Sequence, residues 1–339
     1  MNKDKKIIII GAGWYGCHIG LYLKRKGYNI KIFDKENDIF QGSSGYNQFR
    51  LHSGFHYPRS AETINEIKIN YIRFAKYYKK FIHFPKINIY CIAKKKSLID
   101  SKTYDILINV HKLKAKKKIF SFLENIDVAY NCNEGVLQNE KIKNFYKKEL
   151  KKNIFLNKKV GSILNLKNKF DLVLDCTNNT LSSKKTVNNN FVLTISFIYK
   201  KNKNKKGYPI TVMDGELPSI YPYADKKNMF TLTHAKFTHI KKFNNYSSLL
   251  NYKEKIKKKY ISQARKNMEN DISHYFPGFK KTFSYYSFFL SYKVLPDESS
   301  DKRSITIKQD KNLISCTSPK IANIFSFQDY VDKAIKKFK

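Results

Sequence analysis

The sequence predicts a mixed α/β fold in two parts, one around a parallel sheet and the other an α+β body on an antiparallel sheet. Three features predict it. A strand, a glycine-rich turn, a helix and a second strand follow one another over residues 5–34. A run of short strand-like segments covers residues 191–237. Hydrophobic residues make up 42% of the 339, enough to bury a sizeable core.

Residues 5–10 read as a short apolar strand, followed at once by Gly11-Ala12-Gly13-Trp14-Tyr15-Gly16 and a helical stretch to about Lys26. Gly27 stops that helix, and residues 28–34 make the second strand. In this GxGxxG turn, Gly11 permits the tight bend, Gly13 lets a pyrophosphate approach the backbone, and Gly16 lets the helix pack close to the strand. The helix start offers free N–H groups and a partial positive charge to phosphates. Asp34 lies eighteen residues beyond Gly16, where an acid can accept hydrogen bonds from an adenosine ribose. Three glycines, His18 and the lack of a small-residue cleavage site argue against a signal peptide. The turn therefore predicts a dinucleotide site, without separating a nicotinamide from a flavin.

Residues 35–60 have little helical or strand periodicity, and long structureless segments in compact domains are usually functional or disordered. This one holds Gly42, Gly45, Gly54 and Pro58 to shape it, with aromatics, hydroxyls, an amide, two His and two Arg. That is the composition of a site, not of a linker.

The GAGWYG turn, Asp34 and this loop resemble the FAD-dependent oxidoreductases of the D-amino acid oxidase superfamily, which includes glycine oxidase, glycerol-3-phosphate dehydrogenase and L-2-hydroxyglutarate dehydrogenase. Residues 42–60 are most similar to the loop of the last two, where a Ser/Thr-rich start leads to a His-small-Gly-apolar-x-Tyr segment, here His52-Ser53-Gly54-Phe55-His56-Tyr57. The resemblance implies that this loop runs beside the flavin ring and the substrate. Residues 159–177 resemble the family's return to the cofactor domain, in which a valine (here Val160) touches adenine and a strand ends in a small-residue turn. Asn178 stands where that turn usually has Gly; Asn tolerates left-handed backbone. Residues 314–321 (ISCTSPKI) resemble the last strand and the Gly-Lys turn beneath the flavin, with Pro319 where Gly is common.

The resemblance implies FAD as cofactor and a Rossmann-like FAD-binding domain, discontinuous in sequence (residues 1–86, 138–185 and 304–339), with an antiparallel-sheet α+β substrate or cap domain (87–137 and 186–303). The cofactor-binding residues it implies are Gly11, Gly13, Trp14, Tyr15, Gly16, Asp34, Lys35, Ser43, Ser44, Asn47, Val160, Thr177, Pro319, Lys320 and Ile321. Along the chain, helices are expected over 61–83, 103–118, 249–268 and 321–338, and strands over 87–93, 191–199, 209–213, 219–223, 229–237, 283–295 and 304–307.

Oxidation of an alcohol or amine at a flavin removes a hydride from carbon and a proton from oxygen or nitrogen, so the protein must place the carbon, take the proton and hold the substrate's charge. His52 is the candidate base, because imidazole titrates near neutrality; its alternative role is to hydrogen-bond the loop. Alternation along an extended chain would point Arg50 the same way as His52, as substrate anchor. Arg303 is a second anchor candidate or an ion-pair partner of Asp301, Asp297 or Glu298; Arg59 also offers a fork for a carboxylate or phosphate. Tyr57, Tyr221 and Tyr223 are pocket candidates, His56 is read as structural, and His18 as packing or surface.

The expected activity is therefore FAD-dependent oxidation of a C–OH or C–N bond in a small, anionic substrate, with the electron acceptor open. Two alternatives stand beside it: a flavoprotein acting on a sugar or glycan precursor, and a non-enzymatic basic protein that binds nucleic acid or anionic lipid. The net charge of +39 motivates the last. Only six of the 66 basic residues are Arg, and the lysines are spread along the chain as a solvated coat, so no nucleic-acid partner is expected. No apolar run of eighteen residues predicts a membrane span, although the charge is compatible with peripheral contact at an anionic surface. Five Cys without a CxxC pair predict neither a disulfide framework nor a cysteine-rich metal site, and a cytoplasmic location is expected.

Overall fold

The computed structural model describes residues 5–181, 190–295, 305–318 and 320–337. Among these, the strands form three sheets of six, nine and three strands.

The six-stranded sheet centres on Lys6–Ile10, which pairs in parallel with Asn29–Phe33 on one side and Leu172–Asp175 on the other. Ile154–Phe155 extends it at one edge, and Leu313–Thr317 with its hairpin partner Thr306–Asp310 at the other. Ile7, Ile8 and Ile9 are all buried, as expected of a parallel strand covered on both faces. The helix Trp14–Arg25 packs on this sheet, and Gly20 lets it approach closely, since a Cβ there would lie 2.6 Å from Ile32 Cδ1. Segments far apart in sequence thus build one sheet, parallel except at its Thr306–Asp310 edge.

The nine-stranded sheet is mostly antiparallel. Its spine is the long strand Asn190–Lys201, which pairs over its whole length with Phe283–Leu295. One face carries Ile195, Phe197, Ile210, Ile220 and Leu232, packed on Ala264, Met268 and Ile272 of the helix Lys258–Tyr275. The other face looks toward the six-stranded sheet, with Ile198, Tyr223 and Phe289 in its core. Between the two lies a small sheet of Arg50–Leu51, Gly135–Leu137 and Ile82–His83.

Three helix expectations are corrected. The stretch 61–83 is a helix only over Ala61–Tyr77, and Ile82–His83 is drawn into a strand by pairing with Gly135–Leu137. The stretch 103–118 is helical only in Ser101–Val110, capped by Asp100, whose Oδ1 accepts from Thr103 N at 2.8 Å. Lys112 then turns with φ +49°, and Ala115–Lys117 pairs with the strand Ile126–Cys132, so cross-strand bonding overrides local helix preference. The stretch 249–268 is two helices, Tyr246–Glu254 and Lys258–Tyr275. They divide because they serve different cores: Leu249 packs with Phe191 and Leu193, whereas Met268 and Ile272 pack beneath the other end of the sheet. Two further strands are not among those expected: His239–Phe243, which has little apolar alternation, and Ile126–Cys132, although Ile126, Val128, Tyr130 and Cys132 alternate with Asp127, Ala129 and Asn131.

Candidate active site

The nucleotide turn is built as its glycines require. Gly11 has φ +97°, and a Cβ on it would lie 2.9 Å from the Cys176 carbonyl oxygen. A Cβ on Gly16 would lie 1.8 Å from the Gly11 carbonyl oxygen, so only glycine allows the helix to start this close to the strand. Gly13 opens onto the loop: a Cβ there meets only the Ser44 side chain. Trp14 N donates to Ser44 Oγ at 3.0 Å, and no acidic residue occupies the first turn of the helix. Asp34 accepts from Ala12 N at 2.6 Å and Glu36 N at 3.0 Å, and burial pushes its carboxyl above the ordinary range. Free helix N–H groups, a glycine cradle and a half-buried acid at the end of the second strand fit the phosphates and ribose of a dinucleotide.

A cavity of about 720 Å³ continues from this turn to the face of the nine-stranded sheet. Among the expected residues, Gly13, Trp14, Tyr15, Ser43, Ser44, Asn47, Arg50, His52, Lys320 and Ile321 line it. The loop is pinned on both sides: Ser43 Oγ donates to the Tyr292 carbonyl at 2.8 Å, and Asn47 Nδ2 to the Ser43 carbonyl at 2.8 Å. Gly11, Gly16, Asp34, Lys35, Val160 and Thr177 lie outside the wall. Lys35 rests over the Tyr246 ring, Val160 packs on Ile8, Ile10 and Val173, and Thr177 donates twice to Asp175 Oδ1. Asn178 takes the left-handed conformation (φ 55°) that a glycine would otherwise supply. Arg303 and Pro319 lie outside the described residues.

Arg50 and His52 reach the cavity in different ways. The Arg50 guanidinium is buried and stacks on Tyr221, 4.0 Å from the ring centroid. Its NH1 donates to Thr211 Oγ1 (2.8 Å) and Tyr90 OH (3.3 Å), and its NH2 to Ser219 Oγ (2.5 Å) and Gln48 Oε1 (3.3 Å). The fork is thus committed to protein acceptors; only Nε has no partner, and it is buried. The expected open fork is corrected to a charge held rigidly in the wall.

His52 stacks on His56 at 5.0 Å between ring centroids, with Tyr57 edge-on. Its Nδ1 is buried without a hydrogen bond, 3.8 Å from Oε2 of Glu134. Burial, then Lys320, His56, Arg50 and Lys293, hold its imidazole well below the ordinary range, so it is neutral at physiological pH. Glu134, with no solvent exposure, accepts from Ser53 N at 2.7 Å and from Tyr90 OH at 2.5 Å. Burial raises its carboxyl, and Arg50 then opposes that rise. Lys320 stands with Nζ 3.9 Å from the Tyr57 ring centroid; burial, then Arg50, pull its ammonium down to about 7.

Sequence reasoning missed Glu134 and the titration of Lys320. Glu134 has one local signal, an acid just ahead of Gly135 and the apolar pair Val136-Leu137. Arg59 pairs with Asp214 at 2.5 Å at the cavity wall. His18 is neither surface nor plain packing: its ring bridges Tyr78 OH (2.5 Å) and Gln328 Oε1 (2.9 Å) in the buried interior. Among the described residues no cluster of His, Cys, Asp or Glu could hold a metal, and no helix is long and apolar enough to cross a membrane.

Residues 6–101 match the family model described as FAD dependent oxidoreductase. A protein of Fusarium mangiferae named FAD-dependent monooxygenase FPY4 is 30% identical over 332 residues, covering 94% of this chain and 87% of its own. This chain belongs to the FAD-dependent oxidoreductases of the D-amino acid oxidase type. The FAD-dependent monooxygenase kojA of Aspergillus flavus is 23% identical, over 96% of this chain and 84% of its own. Among solved structures the oxidoreductase fold recurs in L-α-glycerophosphate oxidase of Mycoplasma pneumoniae with FAD bound (TM-score 0.70, 12% identity, 96% and 93% of the two chains). It recurs also in glycine oxidase of Bacillus cereus (TM-score 0.68, 14% identity, 98% and 96%). The cofactor of this oxidoreductase is FAD.

Proposed function

We propose that this oxidoreductase removes a hydride and a proton from a C–OH or C–N bond of a small anionic substrate held in the cavity. The observation that carries this reading is the charge of the wall. Arg50, Lys320 and Lys293 line the cavity with His52, while the wall's two carboxylates among the described residues are each paired, Asp214 with Arg59 and Glu216 with Lys236. Such a wall favours an anion that brings its own negative charge.

FAD, when bound, supplies the acceptor for the hydride. Arg50 contributes a fixed charge, because its position is set by Thr211, Ser219, Tyr90 and Gln48. His52, neutral, takes the substrate proton. With its own proton on Nδ1, facing Glu134, the lone pair of Nε2 is left for the hydroxyl or amine of the substrate. The Glu134 carboxylate then offsets the charge that forms on the ring. Lys320, near its own titration point, pairs with the anionic end.

The names of the Fusarium and Aspergillus relatives favour a second reading, insertion of oxygen into the substrate. Anaerobic mixing of the holoenzyme with 2-hydroxy acids, amino acids and polyol phosphates separates the two. Bleaching of the flavin by a substrate alone supports direct oxidation. Bleaching only after a reduced nicotinamide is added supports the monooxygenase reading and overturns the first.

A further inference from the structure

The face of the nine-stranded sheet that looks into the cavity carries a polar stretch beside the buried Ile198, Tyr223 and Phe289 of the same face. Thr211 lies opposite Ser219, Ser219 opposite Thr233, and Thr194 opposite Ser291. The Phe197–Leu232 pairing brings Ser196 to the same level as Thr233 on the neighbouring strand. All six side chains line the cavity. Their sequence neighbours Ile195, Phe197, Ile210, Ile220 and Leu232 form a core on the opposite face, so the alternation selects hydroxyls for one side only.

Burying a hydroxyl costs free energy unless it is hydrogen-bonded. Thr211 and Ser219 spend theirs on Arg50. Thr194 and Ser196 are 4% and 6% exposed, yet no hydrogen bond ties them, Thr233 or Ser291 to another group among the described residues. None of these oxygens is sealed off from the cavity. A row of hydroxyls therefore starts at the Arg50 charge with Thr211 and Ser219, already engaged there, and continues across the sheet through Thr233 and Ser196, which are free to donate and accept.

We propose that this row is the subsite for a polyhydroxylated chain, so that the substrate is a sugar-like or polyol carboxylate or phosphate. This rests on the oxidation reading above and narrows its substrate class. A hydroxyl both donates and accepts, as a polyol hydroxyl does. Neighbouring strands are about 4.8 Å apart, roughly the separation of hydroxyls four carbons apart on an extended chain. The apolar side chain of an amino acid would leave the row unpaired, which is how a site built for hydrogen bonds rejects an analogue that lacks them.

Calorimetric titration of the holoenzyme with gluconate, glucitol phosphate, glycolate and alanine tests the inference. Gluconate or glucitol phosphate binds at least tenfold more tightly than glycolate or alanine, and the stronger of the two identifies the anionic end as carboxylate or phosphate. The double variant Ser196→Ala/Thr233→Val retains its flavin, which reports folding, and loses roughly tenfold in affinity for the polyol anion. Equal affinity for glycolate, no binding of either polyol anion, or wild-type affinity in the double variant overturns the inference; the row is then only a hydrated wall. Anaerobic flavin reduction judges the oxidation reading separately. Tight polyol binding with no reduction sinks that reading and leaves the subsite standing, whereas reduction by glycolate or alanine alone does the reverse.

Discussion

The Nδ1 of His52 stands 3.8 Å from the Oε2 of Glu134, a carboxylate with no exposure to solvent. The two arrive from different places: His52 follows the short strand Arg50–Leu51, and Glu134 precedes the strand Gly135–Leu137 that pairs with it. Pairing of the strands therefore sets the distance between the imidazole and the carboxyl group. His52→Gln keeps a polar side chain but cannot take a proton, and should slow flavin reduction by about 10² to 10⁴-fold while FAD stays bound. Glu134→Gln should slow it less, by removing the charge that offsets imidazolium. Stopped-flow absorbance under anaerobic conditions measures both; wild-type rates in His52→Gln would make His52 a structural residue of the loop.

Cofactor retention depends on Gly13, whose missing side chain leaves the space between the helix start and Ser44. Gly13→Val should fold and purify without colour, because its branched side chain takes the space of the phosphates. Absorbance of the purified protein and its far-ultraviolet dichroism report the two properties independently.

Binding of the anionic substrate should weaken as pH rises through about 7, the point to which burial and Arg50 bring the Lys320 ammonium. Below that pH the side chain is charged and attracts the anion; above it the amine is neutral and the attraction is lost. Lys320→Met should show weaker affinity at acid pH and a flat profile, read from dissociation constants measured across pH.

Acid stability should report His18, which burial holds neutral down to about 4 between Tyr78 and Gln328. Its native pKa is below the unfolded value of 6.5, so the unfolded chain binds the proton more readily between those limits. Stability is present in full above 6.5 and falls as pH drops toward 4, by about 3 kcal/mol from this group. His18→Gln should be less stable at neutral pH and lose this part of the acid slope, as followed by thermal melts at pH 7, 6 and 5.

The sequence by itself determined the nucleotide turn and the class of fold. The constraints there are local: a left-handed Gly11, a Gly16 pressed against the Gly11 carbonyl, and apolar strands on either side. Steric exclusion of a Cβ is legible from residue identity and spacing alone. The reactive loop was legible as a site from its composition, but not in its wiring. Arg50 meets Thr211 and Ser219 across 161 and 169 residues of chain, and Lys320 meets Tyr57 from the far end. Which hydroxyl or carboxylate stands beside a loop residue depends on strand register in a sheet assembled from distant segments, and a shift of one residue would turn each such side chain to the opposite face. Tertiary structure alone therefore decided that the Arg50 fork is spent on protein, that Glu134 backs His52, and that one face of the large sheet is lined with hydroxyls.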